Sequence, residues 1–444
     1  MPIIHTRFLL KPPEFPHESL WRDRYRAVHR HRKRILHVSF RLLPMQARGS
    51  RKALDLRGLA LAGSCGLLFA SSSAVADPVA SPGFSGPLAP NAHPIVVNAG
   101  PFGDVTVTGQ VSGIALAQSH VTSTPGTVNS DTAADVSNAQ VEIQTTTGPL
   151  QLYVQAGAYS LPALGTSYLR SGKAQDLLFG PVPVAYAKAV LSKDLSITAG
   201  FLPTMVGAES TFTFQNMNVE RGLLWNQEPS ISRGAQVNYA HGKLSAAVSL
   251  NDGYYSGKFN WISGTASYAF DSANTLTVIG AGSFSRSRRS SYATPLAQNN
   301  GSIFNIIYTY AKGPLTLTPY LQYNRVDRDD ALGLNRSAET FGGALLAKYT
   351  LAKGFSLAAR GEYLKSSGDD CGLATDCVPT NLLYGPHSDA WSATFTPTYQ
   401  KGIFFARGEV SYTRIGKLAP GSGFGADSNK RDQVRGLLET GFLF

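Results

Sequence analysis

The chain has 444 residues and a formal charge of +11, from 40 Lys and Arg against 29 Asp and Glu. That balance invites a nucleic-acid partner, but residues 1–76 hold 14 basic and 4 acidic residues, which leaves 40−14 = 26 basic and 29−4 = 25 acidic residues in 77–444. A near-neutral body excludes a broad phosphate-binding surface, so no nucleic-acid partner is expected.

At the amino end, 1–44 carries five of the nine His and a basic run through Arg30, Lys33 and Arg34, without helical or strand period. It reads as a gene-model extension in preference to a basic arm, because a better start follows at Met45. Arg48, Arg51, Lys52 and Arg57 form a basic region, Gly58 to Ala70 an apolar core, and Ala74-Val75-Ala76 a small-x-small cleavage site before Asp77. The stretch 45–76 is therefore expected to be a secretory signal, cut between Ala76 and Asp77. Cys65 follows Arg57 too closely for a lipoprotein signal. Residues 77–101, rich in Pro, Ala and Ser, read as an exposed linker.

Nothing after Ala76 approaches an 18-residue apolar run, and the mean hydropathy is −0.08. A chain this polar spans a bilayer only as a closed barrel, with alternate residues facing lipid and water. From about 102 onward such strands recur. Leu244, Ala246, Val248 and Leu250 alternate with Ser245, Ser249 and Asn251; Phe355, Leu357, Ala359 and Tyr363 with Ser356, Arg360 and Glu362; Trp391, Phe395 and Tyr399 with Ser392, Thr394 and Thr396. Each is about ten residues long, enough for a tilted strand to cross hydrocarbon.

Connections alternate between short turns, such as His241-Gly242-Lys243 and Lys401-Gly402, and longer polar loops. Seven turns and eight loops predict an all-β, antiparallel, up-and-down transmembrane barrel of about 16 strands over 102–444. Pro181 and Pro183 weaken one strand, which makes 14 the fallback. Aromatics at strand ends (Tyr239, Phe270, Tyr310, Tyr349, Tyr363, Trp391, Tyr399, Tyr412) fit interfacial girdles. The final stretch alternates Val434, Gly436, Leu438, Thr440, Phe442 and Phe444 against Arg435 and Glu439. Phe442 and Phe444 are expected to form the assembly signal of the closing strand. Cys371 and Cys377, in an oxidising compartment, are expected to form a local disulfide.

Two features could carry function. The inward faces of the late strands hold Lys348, Arg360, Glu362, Arg407, Glu409, Arg435 and Glu439, with Arg-x-Glu twice repeated. They are either a braced, mutually paired network or a selectivity element. The third long loop, 204–232, contains Phe212, Phe214, Met217, Leu223, Leu224 and Trp225, too apolar to stand in water. It also contains Glu209, Glu220, Arg221 and Glu228, and is expected either to fold inward and narrow the pore or to pack on the rim. Catalytic patterns are lacking: Gly421 to Gly425 is glycine-rich but opens no helix, and His93, His120, His241 and His387 are scattered. No enzyme activity, cofactor or metal is expected.

The segments Ser137–Val141, Gly148–Gly157, Ala199–Pro203, Gly207–Glu209, Asn218–Leu224 and Ser232–Gly234 resemble the OmpL-like β-barrel porins over roughly 100–444. The resemblance implies an outer-membrane diffusion channel of Gram-negative bacteria for small hydrophilic solutes or ions. Its partners would be outer-membrane lipid and lipopolysaccharide, the barrel assembly machinery and, in a homo-oligomer, further copies of the chain. The alternative is a plugged barrel that binds or adheres through its outer loops.

Overall fold

The structure, a computed structural model, describes residues 86–100, 103–122, 124, 126–368, 380 and 382–444. The expected extension 1–44, signal segment 45–76, Ala76–Asp77 cleavage site and Cys371–Cys377 pair lie outside these residues.

Sixteen antiparallel strands form one closed sheet, beginning with β2 (Asp104–Gln118), β3 (Thr132–Thr145), β4 (Leu150–Tyr159) and β5 (Val184–Val190). The wall continues through β6 (Leu195–Pro203), β7 (Ile231–His241), β8 (Leu244–Asn251), β9 (Trp261–Ala269), β10 (Asn274–Ser283) and β11 (Ser302–Lys312). It is completed by β12 (Leu315–Val326), β13 (Ala338–Ala352), β14 (Phe355–Ser366), β15 (Asp389–Lys401), β16 (Phe404–Lys417) and β17 (Asp432–Leu443). The barrel shuts where β17 pairs with β2, from Arg435 opposite Gln118 to Leu443 opposite Gln110. Closure matters physically because an open edge would leave backbone N–H and C=O groups unpaired in hydrocarbon. Among the described residues no helix is long and apolar enough to cross a membrane.

The alternation read from sequence sets which way each side chain points. Val248, Leu250, Phe395, Val410, Leu438 and Phe442 face outward and are exposed, whereas Ser249, Asn251, Thr394, Thr396, Arg407 and Glu439 face inward and are buried. Outward aromatics form the expected belts: Phe355 packs on Tyr399 at 4.6 Å, and Trp391 on Tyr412 at 5.3 Å, between ring centres. The doubtful strand is real but short. β5 has 7 residues and starts after Pro183, so both prolines lie outside the ladder and the count is sixteen. Where β3 and β4 meet, Gly157 has φ +139, and a Cβ there would stand 2.0 Å from the Ala139 carbonyl oxygen; only glycine fits.

The segment expected as an exposed linker needs correction in its described part. Ala92, His93 and Ile95–Asn98 are exposed, but Gly86 and Leu88 are buried, and Ile95–Asn98 forms β1, paired with Asp104–Val107. β1 continues the edge of β2 that β17 does not reach. Leu88 is the cause of the departure: an apolar side chain on a short tether beside the barrel mouth gains by leaving water.

Candidate functional site: the loop inside the barrel

Between Pro203 and Ile231 the chain leaves the wall, enters the lumen and returns. The neck is closed by Thr204 N–H donating to the Ser230 carbonyl at 3.0 Å. It carries two short 3-10 turns, Thr213–Gln215 and Leu224–Gln227, and one parallel bridge in which Arg221 pairs with Ala163 of the preceding long loop. Phe212, Phe214, Met217, Val219, Leu223 and Leu224 are each at most 5% exposed. Met217, Leu223 and Leu224 pack with inward residues of the wall, among them Ile279, Ile303, Tyr320, Leu346 and Leu364. Burial of such side chains contributes about 1.5–3 kcal/mol each, enough to draw the loop inward rather than onto the rim.

Apart from Arg221, whose N–H donates to the Pro162 carbonyl at 3.1 Å and whose carbonyl accepts from Leu164 N–H at 2.9 Å, this loop runs beside no strand that could pair its backbone, and buried N–H and C=O groups require partners. Side chains of the wall supply them. Glu362 accepts from Leu223 N–H at 3.0 Å and Leu224 N–H at 3.3 Å, while Glu409 accepts from Val219 N–H at 2.5 Å and Glu220 N–H at 2.8 Å. Arg360 donates to the Glu220 carbonyl at 2.7 Å. Arg407 donates to the carbonyls of Thr213 at 2.9 Å and of Asn216 and Met217 at 3.0 Å each. Each Arg-x-Glu pair thus serves both polarities of the loop backbone.

Ion pairs close the network. Arg360 meets Glu209 at 2.7 Å and Glu362 at 3.2 Å, Arg407 meets Glu439 at 3.5 Å, and Arg435 meets Glu220 at 2.9 Å. None of these side chains is more than 3% exposed. Four of the eleven predicted charges are not members of these pairs: Glu409, already described on the loop backbone, and Lys348, Arg221 and Glu228. Lys348 lies nearer the turn end of β13 and donates to the Gly86 carbonyl at 3.2 Å. Arg221 is fully buried with its guanidinium 5.1 Å from the Trp225 ring centre, and burial pushes its pKa down to about 10. Burial pushes the Glu228 carboxyl well above its ordinary range, and Glu209 and Glu362 push it the same way. The Glu209 carboxyl is raised by burial too, with Arg360 opposing.

Other wall residues that hold the loop were not anticipated. Asn138 donates to Thr213 Oγ1 at 2.7 Å, and Gln322 to the Leu224 carbonyl at 3.0 Å. Asn324 and Thr340 both donate to the Gln227 side-chain oxygen, at 2.6 and 2.8 Å. Apart from Asn138 lying in the porin-like stretch Ser137–Val141, their only signal in the sequence is an amide or hydroxyl in the inward register.

The charges are confined to one side. On β7 to β12 the inward register carries no charged residue, and its periplasmic half, through Gln236, Asn238, Thr265, Ser267, Thr277, Thr309 and Thr316, is half-buried rather than covered. A cavity of about 220 Å³ lies there against the loop, lined by Met205, Met217, Thr277, Thr309, Thr316 and Thr318. On the outer side a second space of about 360 Å³ is bounded by Tyr292, Tyr384, Phe424, Gln433 and Arg435.

A closed sixteen-stranded barrel with an apolar outer belt and a long inward loop defines an outer-membrane protein of the porin type. Residues 104–444 match the family described as "Putative beta-barrel porin-2, OmpL-like", and the chain belongs to this family. It is a porin-type channel of a Gram-negative outer membrane. No curated protein matches it. Solved structures of similar shape include OmpT of Vibrio cholerae, with 10% identity, 79% of this chain and 100% of that chain covered, and TM-score 0.49. The outer membrane channel DcaP of Acinetobacter baumannii has 10% identity, 77% and 97% coverage and TM-score 0.49. OprD of Pseudomonas aeruginosa has 11% identity, 77% and 93% coverage and TM-score 0.45.

Proposed function

We propose that the channel passes small uncharged hydrophilic solutes with little preference between cations and anions, and that it is not an enzyme. The observation that carries this reading is the division of the lumen. The buried wall charges Arg360, Glu362, Arg407, Glu409, Arg435 and Glu439 are engaged by the loop and by one another, while the half-buried inward wall of β7 to β12 has hydroxyl and amide groups as its polar side chains and no charged one. Permeation along that wall meets hydrogen-bonding groups and no charge of its own, the flanking Lys348 of β13 being turned to the Gly86 carbonyl, so ions of either sign gain little over neutral solutes. In this reading the predicted pore-lining charges from Glu209 to Glu439 position the loop rather than select ions.

Planar-bilayer recording in a KCl gradient should give a reversal potential near zero, and liposomes should swell faster in neutral sugars than in charged solutes of equal size. A strongly cation- or anion-selective reversal potential would sink the proposal. No open-channel conductance under any condition would favour the plugged, surface-binding alternative, which the filling of the lumen by the loop also suits.

The same proposal includes export with cleavage after Ala76, which predicts Asp77 as the first residue of outer-membrane protein on N-terminal sequencing; a start upstream of Met45 would contradict it. Contact with lipid and lipopolysaccharide, insertion by the barrel assembly machinery and self-association complete it, supported by the apolar outer belt.

A further inference from the structure

Before β1 the chain turns into the barrel mouth instead of away from it. Gly86 N–H donates to the Gln215 carbonyl of the inward loop at 3.1 Å. The two backbones are so close that a Cβ on Gly86 would lie 2.1 Å from the Asn216 carbonyl oxygen. Three residues on, Gln400 of β15 reads the Ala89 backbone with both ends of its amide. Ala89 N–H donates to Gln400 Oε1 at 2.8 Å, and Gln400 Nε2 donates to the Ala89 carbonyl at 2.9 Å. Between these contacts Leu88 is 2% exposed, in one cluster with Tyr153 of β4, Phe212 and Phe214 of the loop, Phe405 of β16 and Leu443 of β17. Backbone pairing and an apolar pocket thus hold the same short peptide, and each contact touches either the wall or the loop.

We propose that Gly86–Pro90 is a strap, bound in the periplasmic half of the lumen, that holds the inward loop closed and so limits conduction. The inference rests on the channel reading above. The loop backbone at Gln215 to Met217 lies between two clamps, with Arg407 donating to its carbonyls from one strand and Gly86 meeting it from the strap. Loss of the strap removes one clamp, frees Leu88 from its pocket and opens a path for water under Phe212 and Phe214. Only 91–94 separate the strap from β1, so rebinding is intramolecular and favoured by a high effective concentration. That arrangement suits reversible closure.

The test is single-channel recording on protein purified from outer membranes, comparing the parent with Gly86→Val, Leu88→Asp, a deletion of 86–91 and the exposed control Ala92→Val. The first three should raise mean conductance or open probability several-fold and the control should leave both unchanged, while all retain heat-modifiable migration as folded barrels. Should the deletion fail to fold, Gly86→Val decides, because Gly86 lies outside every barrel strand. Folded strap variants that conduct like the parent overturn the strap. Silence of parent and variants alike overturns the channel reading itself, and the strap with it.

Discussion

Replacing Arg360 and Arg407 together with Met is expected to free the loop rather than reverse ion preference. Both guanidinium groups are fully buried, and each is joined to a glutamate and to loop carbonyls. Removing one partner of a buried ion pair costs about 3–5 kcal/mol, because the remaining charge is left uncompensated. Glu209, Glu362 and Glu439 would be left so, and the carbonyls of Thr213, Asn216, Met217 and Glu220 would lose their donors. The double variant should therefore show larger and noisier single-channel currents, lower resistance of the barrel to heat, and a reversal potential close to that of the parent. Unchanged conductance with a reversal potential moved toward cations would mean that these charges face the ion path. Neutralising Arg286, Arg288 and Arg289 is the matched control. These residues lie exposed on the outer loop between β10 and β11, where salt screens a charge within about 8–10 Å. Little change is expected from them.

A chain ending at Leu443 is expected to reach the outer membrane in strongly reduced amounts, while whatever protein does assemble conducts normally. Phe444 N–H donates to the Gly109 carbonyl at 2.8 Å, and Gly109 N–H donates to the Phe444 carbonyl at 2.7 Å. Its ring lies on the Gly109 backbone, 2.5 Å from where a Cβ would stand. These contacts lie at the β17–β2 seam, where the first and last barrel strands meet. Everything else in the wall is paired by neighbours in sequence, but the seam joins residues more than three hundred positions apart. Its formation must wait for the whole wall and bears the largest loop-closure cost. Quantitative blotting of outer-membrane fractions, with conductance of the assembled fraction, checks this; a normal yield would refute it.

Much of the fold was legible because a barrel wall obeys a local rule. A side chain two positions along points the same way, so Val248 and Leu250 outward, with Ser249 and Asn251 inward, could be read without knowing any neighbour. The turn and loop lengths then gave sixteen strands, and the short β5 survived its prolines because they stand before it. The apolar content of Phe212 to Trp225 likewise showed that the third loop could not remain in water.

Partners, by contrast, depend on where distant segments meet. Arg360 and Glu362 read equally well as a bracing network or a selectivity element, and only the inward path of the loop made them a mould for its backbone. Gln322 and Asn324 carried no signal beyond polarity, and Asn138 none for its role beyond lying in a stretch that resembles the family, since an amide that will hold a loop looks in sequence like one that will face water. The same limit hid the strap. A Pro/Ala-rich run reads as linker because composition reports what a segment can do alone, and Gly86, Leu88 and Ala89 do nothing alone. The sequence by itself determined the barrel, a count of about sixteen strands with fourteen as the fallback, and the direction of the alternating side chains, because period-2 alternation between lipid and lumen is a property of consecutive residues. The tertiary structure alone decided that Arg360, Glu362, Arg407 and Glu409 meet the loop backbone and that the segment before β1 touches it, because those contacts join residues whose separation in the chain leaves no periodic trace.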